Sequence, residues 1–243
     1  MAFPSTWSKQ KHYVCQTPLN IYVSPALGEL ATQAAVGRQL RILSPLPENA
    51  EALVTAETAA VEVLLQEDDY PGWIAGDALE QLQPADQPYQ PHSIDRTEIS
   101  DRIPDVIGFA KAAMAQPNVY RWGGSLGPDY DCSGLVQAAF ASVGVWLPRD
   151  SYQQEAFTQP VAFDGLQPGD LIFFGTERTT HVALSRGSDR YIHSSGKQQG
   201  RNGIGIDVLS TTVDEVSRIY FQQRRSAGRV MQNYQAKGVP FQC

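Results

Sequence analysis

One cysteine and two histidines, out of three cysteines and four histidines in 243 residues, stand where their side chains could do chemistry. Cys132 follows a loop, residues 125–130, rich in Gly, Pro and Asp. It precedes Leu135, Val136, Ala139, Phe140 and Val143, whose spacing predicts a buried helix. The thiol therefore sits at a helix start, with Asp131 or Ser133 placed to cap the free amides. The positive end of the helix dipole is expected to pull its pKa below the usual value of about 8.5 and favour thiolate. A nucleophile also needs a base. His181-Val182-Ala183-Leu184 reads as a short strand beginning on histidine, and Tyr191-Ile192-His193-Ser194 as a second with His193 near its end. One imidazole in hydrogen-bond reach of the sulfur, oriented by the other, would make a nucleophile–base–orienter set. The same three side chains also suit a zinc ion, and a cysteine taken alone is more often a small buried hydrophobe.

Positioning these groups requires a sheet and helices. Asp170-Leu171-Ile172-Phe173-Phe174-Gly175 predicts a third strand, and residues 217–221 the last strand of the sheet. Ile103, Val106, Ile107, Ala110 and Met114 share one face of a predicted helix, and residues 151–157 form a further helix or loop. Upstream, residues 13–15, 20–23, 38–43, 61–65 and 73–75 show strand patterning, with a turn over 66–72 and a helix or loop over 48–60. The acidic triplet Glu67-Asp68-Asp69 reads as a solvated turn in preference to a metal site. Pro84, Pro88 and Pro91 mark a semi-rigid linker.

Hydrophobic content of 42% with 19% charged residues is that of a soluble globular protein. The net charge of −7 argues against a nucleic-acid or membrane-surface partner. No apolar run reaches transmembrane length, residues 1–10 lack the apolar core of a signal peptide, and three cysteines make no disulfide framework. The expectation is a cytoplasmic protein. Gly123-Gly124 lacks the spacing of a phosphate loop, and no cofactor or metal is expected.

Five ordered motifs carry a resemblance: Tyr120-Arg121-Trp122-Gly123-Gly124, Asp131-Cys132-Ser133-Gly134-Leu135-Val136, Pro168-Gly169-Asp170-Leu171-Ile172-Phe173-Phe174, His181-Val182-Ala183-Leu184 and Tyr191-Ile192-His193. Together they resemble the NlpC-type family of papain-like cell-wall cysteine peptidases over about residues 101–225. Residues 1–83 resemble, on strand spacing and Gly72-Trp73-Ile74, the bacterial SH3-like barrel often placed before that domain. The resemblance implies an α+β papain-like domain behind a small all-β SH3-like barrel, with a linker over 84–100 and a tail over 226–243. It makes Cys132 the nucleophile, His181 the base, His193 the group that orients it, and Tyr120 a support for the oxyanion or a packing residue. Asp131 and Ser133 are the substrate-binding candidates, the first able to pair with a substrate ammonium while capping the helix. In relatives with an attached SH3-like domain, that domain can wall off one end of the cleft, and Tyr70 is the residue expected there.

The implied activity is hydrolysis of the γ-D-glutamyl–diamino-acid amide of murein peptides with a free N-terminal L-Ala (L-Ala-γ-D-Glu-diamino acid), in cell-wall recycling. Two other classes stay open: a non-catalytic murein-peptide binding protein, and a related papain-like amidase or acyltransferase acting on lipids.

Overall fold

A computed structural model of the chain describes residues 11–44, 59–198 and 200–241. The chain divides into two units, one made by the residues up to Pro91 together with those from Gln235 on, the other by His92–Tyr234. The expected 48–60 helix or loop and Cys243 lie outside the described residues, apart from Ala59 and Ala60.

Among the described residues the first unit is a seven-stranded antiparallel sheet in the order β3-β2-β6-β5-β4-β1-β7. Its strands are β1 (His12–Cys15), β2 (Leu19–Tyr22), β3 (Leu30–Ala34), β4 (Gln39–Ile42), β5 (Ala60–Leu65), β6 (Pro71–Ala75) and β7 (Leu82–Pro84). Buried and less buried residues alternate along β1, β4 and β6, as the pleat of a one-sided sheet requires. Tyr13, Ile21, Leu40, Ile42, Val61, Val63 and Ile74 form the core on the inner side. β3 was not anticipated: Leu-Ala-Thr-Gln-Ala has no strand signature of its own and is strand because it pairs with β2. The acidic triplet is buried, contrary to the solvated turn expected. Arg38 donates to Glu67 at 3.1 Å and to Asp68 at 2.7 Å, and burial of the carboxylates is offset by that guanidinium. Asp69, in the left-handed region at φ 54°, accepts from the backbone N–H groups of Lys237 (2.7 Å) and Gly238 (2.9 Å).

The second unit has a six-stranded antiparallel sheet in the order β12-β11-β10-β9-β13-β8. Its strands are β8 (Gln159–Val161), β9 (Leu171–Phe174), β10 (His181–Gly187), β11 (Arg190–Ser195), β12 (Gly203–Val208) and β13 (Arg224–Arg229). One face packs Phe173, Val182, Leu184 and Ile192 against α1 (Arg96–Met114) and α2 (Cys132–Ala141). The other packs Ile172, Phe174, Ala183 and Tyr191 against Tyr220 of α4 (Glu215–Gln223). With α3 (Ser151–Phe157), each α-helix among the described residues starts directly after an aspartate: Asp95, Asp131, Asp150 and Asp214. Asp95 and Glu98 make a reciprocal capping box at 3.0 and 3.1 Å, which satisfies two otherwise orphaned amides.

Three boundaries differ from the sequence reading. Residues 217–221, expected as a strand, lie in α4: Asp214 accepts from Ser217 N–H at 2.8 Å, and Ser217 and Tyr220 are buried at helical spacing. The last strand is β13 instead. The stretch 226–243, expected as a tail, thus begins within the sheet. Beyond it, Asn233 accepts from Trp146 N–H at 2.6 Å and donates to the His92 carbonyl at 2.7 Å, and Gln235 onward joins the first unit. The linker is shorter than 84–100, since β7 takes Pro84 and α1 starts at Arg96.

Asp69→Ala is expected to lower the unfolding free energy by about 1–3 kcal/mol, because two backbone donors lose their acceptor. Asp69→Asn keeps one of the two acceptor oxygens and tolerates positive φ, so it should recover only part of that loss in urea unfolding.

Candidate active site

Cys132 is the first residue of α2 and 6% exposed. The loop before it folds back on itself: Arg121 N–H donates to the Tyr130 carbonyl, Gly124 N–H to that of Arg121 (2.9 Å), and Asp131 N–H to that of Gly124 (2.9 Å). Gly134 permits this contact, since a Cβ there would lie 2.1 Å from the Gly124 oxygen. Asp131 caps α2 by accepting from Gly134 N–H at 2.6 Å. Both of its oxygens also take the guanidinium of Arg149, at 3.1 and 2.7 Å, and Arg149 reaches Ser133 Oγ at 2.9 Å. Arg149 is 1% exposed. The Asp131 carboxylate thus caps the helix and closes a buried ion pair, and Ser133 joins the same cluster.

The sulfur of Cys132 faces the backbone N–H groups of Val182 and Ser133. The Val182 contact brings the thiol to the start of β10, one peptide from His181. Burial pushes the Cys132 thiol up to about 12, with Asp131 adding to the rise and the two amides and Arg149 opposing it. Removal from water thus works against the lowered pKa expected from the helix start. Burial also holds His181 well below its usual 6.5, aided by His193 and opposed by Asp207. His193 is lowered by burial too, against the pull of Asp207.

His181 Nε2 lies 2.7 Å from His193 Nδ1, and His193 Nε2 lies 2.8 Å from Asp207 Oδ2. The ring of Tyr220 sits 4.7 Å from that of His181 and 4.8 Å from that of His193, closing the pair from the α4 side. Arg201 bridges Asp207 and Asp214, the second at 2.6 Å. Burial raises the Asp207 carboxyl, but bonds from His193 and Arg201 outweigh it and hold it at about 2. Tyr120 lies close to Cys132, Asp131 and Tyr220, and its phenol is raised, by burial first and then by those neighbours, so it remains a hydrogen-bond donor.

Of the residues singled out in the sequence, Cys132, His181, His193, Tyr120, Asp131 and Ser133 come together in the second unit. Tyr70 belongs to the first unit, half-buried against its core. Arg149, Asp207, Arg201 and Tyr220 were missed. Asp207 offered one faint signal, a lone charge in the Gly203–Val208 strand; Arg149, between a proline and an aspartate, offered none.

Arg149→Met is expected to cost about 3–5 kcal/mol in urea unfolding by leaving the Asp131 carboxylate buried and unpaired. Adding Asp131→Asn should restore part of that. Stability should also fall on the acid side in two stages. Buried histidines with depressed pKa contribute fully above the unfolded value of 6.5 and lose that contribution as pH falls from there through their lower folded values. Asp207 contributes fully above the ordinary 3.8 and loses its share as pH drops toward about 2. Urea unfolding across that pH range checks both.

Residues 117–230 match the NlpC/P60 family, and residues 21–79 the bacterial dipeptidyl-peptidase SH3 domain. Dipeptidyl-peptidase 6 of Lysinibacillus sphaericus is 36% identical over 119 residues, 49% of this chain and 39% of that protein. The gamma-D-glutamyl-L-lysine dipeptidyl-peptidase of Bacillus subtilis is 34% identical over 112 residues, 44% of this chain and 36% of that protein. The match thus spans less than half the length of either relative. A solved NlpC/P60 family protein from Bacillus cereus is 22% identical, with a TM-score of 0.46 over 92% of this chain and 64% of that one. Residues 117–230, with the helix-borne Cys132 and the histidine-bearing sheet, are thus an NlpC/P60 domain, and residues 21–79 before them a bacterial dipeptidyl-peptidase SH3 domain.

Proposed function

We propose that this protein is a cysteine peptidase that hydrolyses the γ-D-glutamyl–diamino-acid amide of murein peptides. The observation that carries the reading is the line His181–His193–Asp207 beginning one peptide from the Cys132 sulfur. His181 Nε2 is taken by His193, which leaves Nδ1 to accept the thiol proton. The thiolate attacks the γ-carbonyl carbon. The resulting oxyanion is met by the Cys132 backbone N–H at the start of α2 and by the Tyr120 hydroxyl. His181 then passes its proton to the departing amine, and water, deprotonated by the same imidazole, releases the glutamyl product from the thioester.

Burial raises the thiol and lowers the imidazole, so the resting pair is neutral and the proton moves only as the bond to substrate forms. The substrate class is supported by the relative named as a gamma-D-glutamyl-L-lysine dipeptidyl-peptidase. A free N-terminal L-Ala belongs to the same proposal, supported by an SH3 domain of the dipeptidyl-peptidase type. Peptides with that free amine exist only after an amide hydrolysis has cut the stem from its sugar. The proposed setting is recycling of such released peptides, with the cytoplasm as the proposed compartment.

Purified protein should cleave L-Ala-γ-D-Glu-diaminopimelate and lose the activity in Cys132→Ala. His181→Ala should lower kcat by roughly 100-fold to 10,000-fold. The N-acetylated peptide should resist cleavage. Its hydrolysis at an equal rate would remove the free-amine requirement, and binding without turnover would replace the peptidase by a binding protein.

A further inference from the structure

The line of hydrogen bonds behind His181 has a direction, and Asp207 sets it. We propose that Asp207 is a positioning residue that fixes the tautomers of both His193 and His181, and so leaves Nδ1 of His181 free of a proton. The inference deepens the cysteine-peptidase reading and rests on it for its purpose, though not for its test.

An ionised carboxylate only accepts hydrogen bonds. His193 must therefore present Nε2–H to Asp207 across 2.8 Å, and its Nδ1 is left as an acceptor. That acceptor faces His181 Nε2 at 2.7 Å, so His181 must carry its proton on Nε2. Nδ1 of His181 is then the bare nitrogen. When it takes the thiol proton from Cys132, one proton moves and none passes on: His193 stays neutral, Asp207 stays anionic, and its charge stabilises the imidazolium through the intervening ring.

Asp207 is built to remain an anion. Its side chain is wholly buried in the sheet face covered by α4. Arg201 donates to Oδ1, and its Nε lies 3.4 Å from Oδ2. Ser217 Oγ of α4 lies 3.4 Å from Oδ1. Gly205, opposite His193 in the sheet, makes room for the arginine, since a Cβ there would meet Arg201 Cγ at 2.8 Å. Asp214 accepts from the same Arg201 nitrogen that bonds Asp207 Oδ1, and the phenols of Tyr191 and Tyr220, both raised by burial, are the remaining titratable groups near the carboxylate among the described residues.

Asp207→Asn and Asp207→Ala separate this role from a packing role. In the asparagine variant Arg201, which has only donors, holds the amide oxygen and turns the NH₂ toward His193. His193 Nε2 must then accept, its proton moves to Nδ1, and His181 in turn is forced to carry its proton on Nδ1. Alanine imposes neither tautomer. The closer isostere should therefore be the worse enzyme.

In ¹⁵N NMR of histidine-labelled protein, wild type is expected to show both His181 and His193 as Nε2–H tautomers, and Asp207→Asn to show Nδ1–H. Alkylation of Cys132 by iodoacetamide at neutral pH should fall roughly 100-fold or more in Asp207→Asn and less in Asp207→Ala. A wild-type spectrum with His193 protonated on Nδ1 overturns the proposal, and it needs no variant to fold. Alanine reacting as slowly as asparagine, or more slowly, overturns it too. Alkylation requires no peptide, so these results with no murein-peptide cleavage would sink the peptidase reading and leave the relay standing.

Discussion

Asp131 cannot shift without shifting Cys132, because its carboxylate holds the amide of Gly134 in the first turn of the helix that starts on that cysteine. The same carboxylate is gripped by a buried arginine from a segment 18 residues further on. The loop before it is closed by Asp131 donating to Gly124 and by Gly134 fitting against the Gly124 carbonyl. Removing any one of these leaves a charge or an amide without a partner away from water, at a cost of a few kcal/mol. The position of the sulfur thus depends on one ion pair.

The opposite wall of the site is held differently. Each member of the line from His181 to Asp207 sits on β10, β11 or β12, and Arg201 with α4 closes the far end. Burial discourages charge on every member, and only the last keeps one, because His193 and the arginine hold its anion. Tyr220 lies over both imidazole rings, so α4 excludes water from them as well as carrying Ser217 to Asp207. A cysteine kept neutral at rest is also poorly reactive toward oxidants, which attack thiolate.

What was legible in the sequence is what is local in the chain. Cys132 at a loop-to-helix boundary, and His181 and His193 on short strands, could be found because helix and strand periodicity show within a few neighbours. Arg149 and Asp207 could not, since their partners stand 18 and 14 residues away and the one local hint, Asp207 as a lone charge in its strand, points to no partner. Residues 217–221 misled through the β-prone run Ile219-Tyr220-Phe221, although Asp214, three before Ser217, was the capping signal that decides the matter. In the first unit the strands with alternating burial were read correctly, while β3 and the buried acidic triplet depend on contacts with distant residues.

The return of residues 235–241 to the first unit has a consequence for synthesis. Asp69, near the middle of that unit's sheet, waits for amides that are translated only after all of the second unit. On the ribosome, at about 5–20 residues per second, the interval between Asp69 and Gly238 lasts roughly ten seconds or more. During it the second unit can complete its own core before the amides of Lys237 and Gly238 reach Asp69, so vectorial synthesis favours the later unit as the first to reach its finished form.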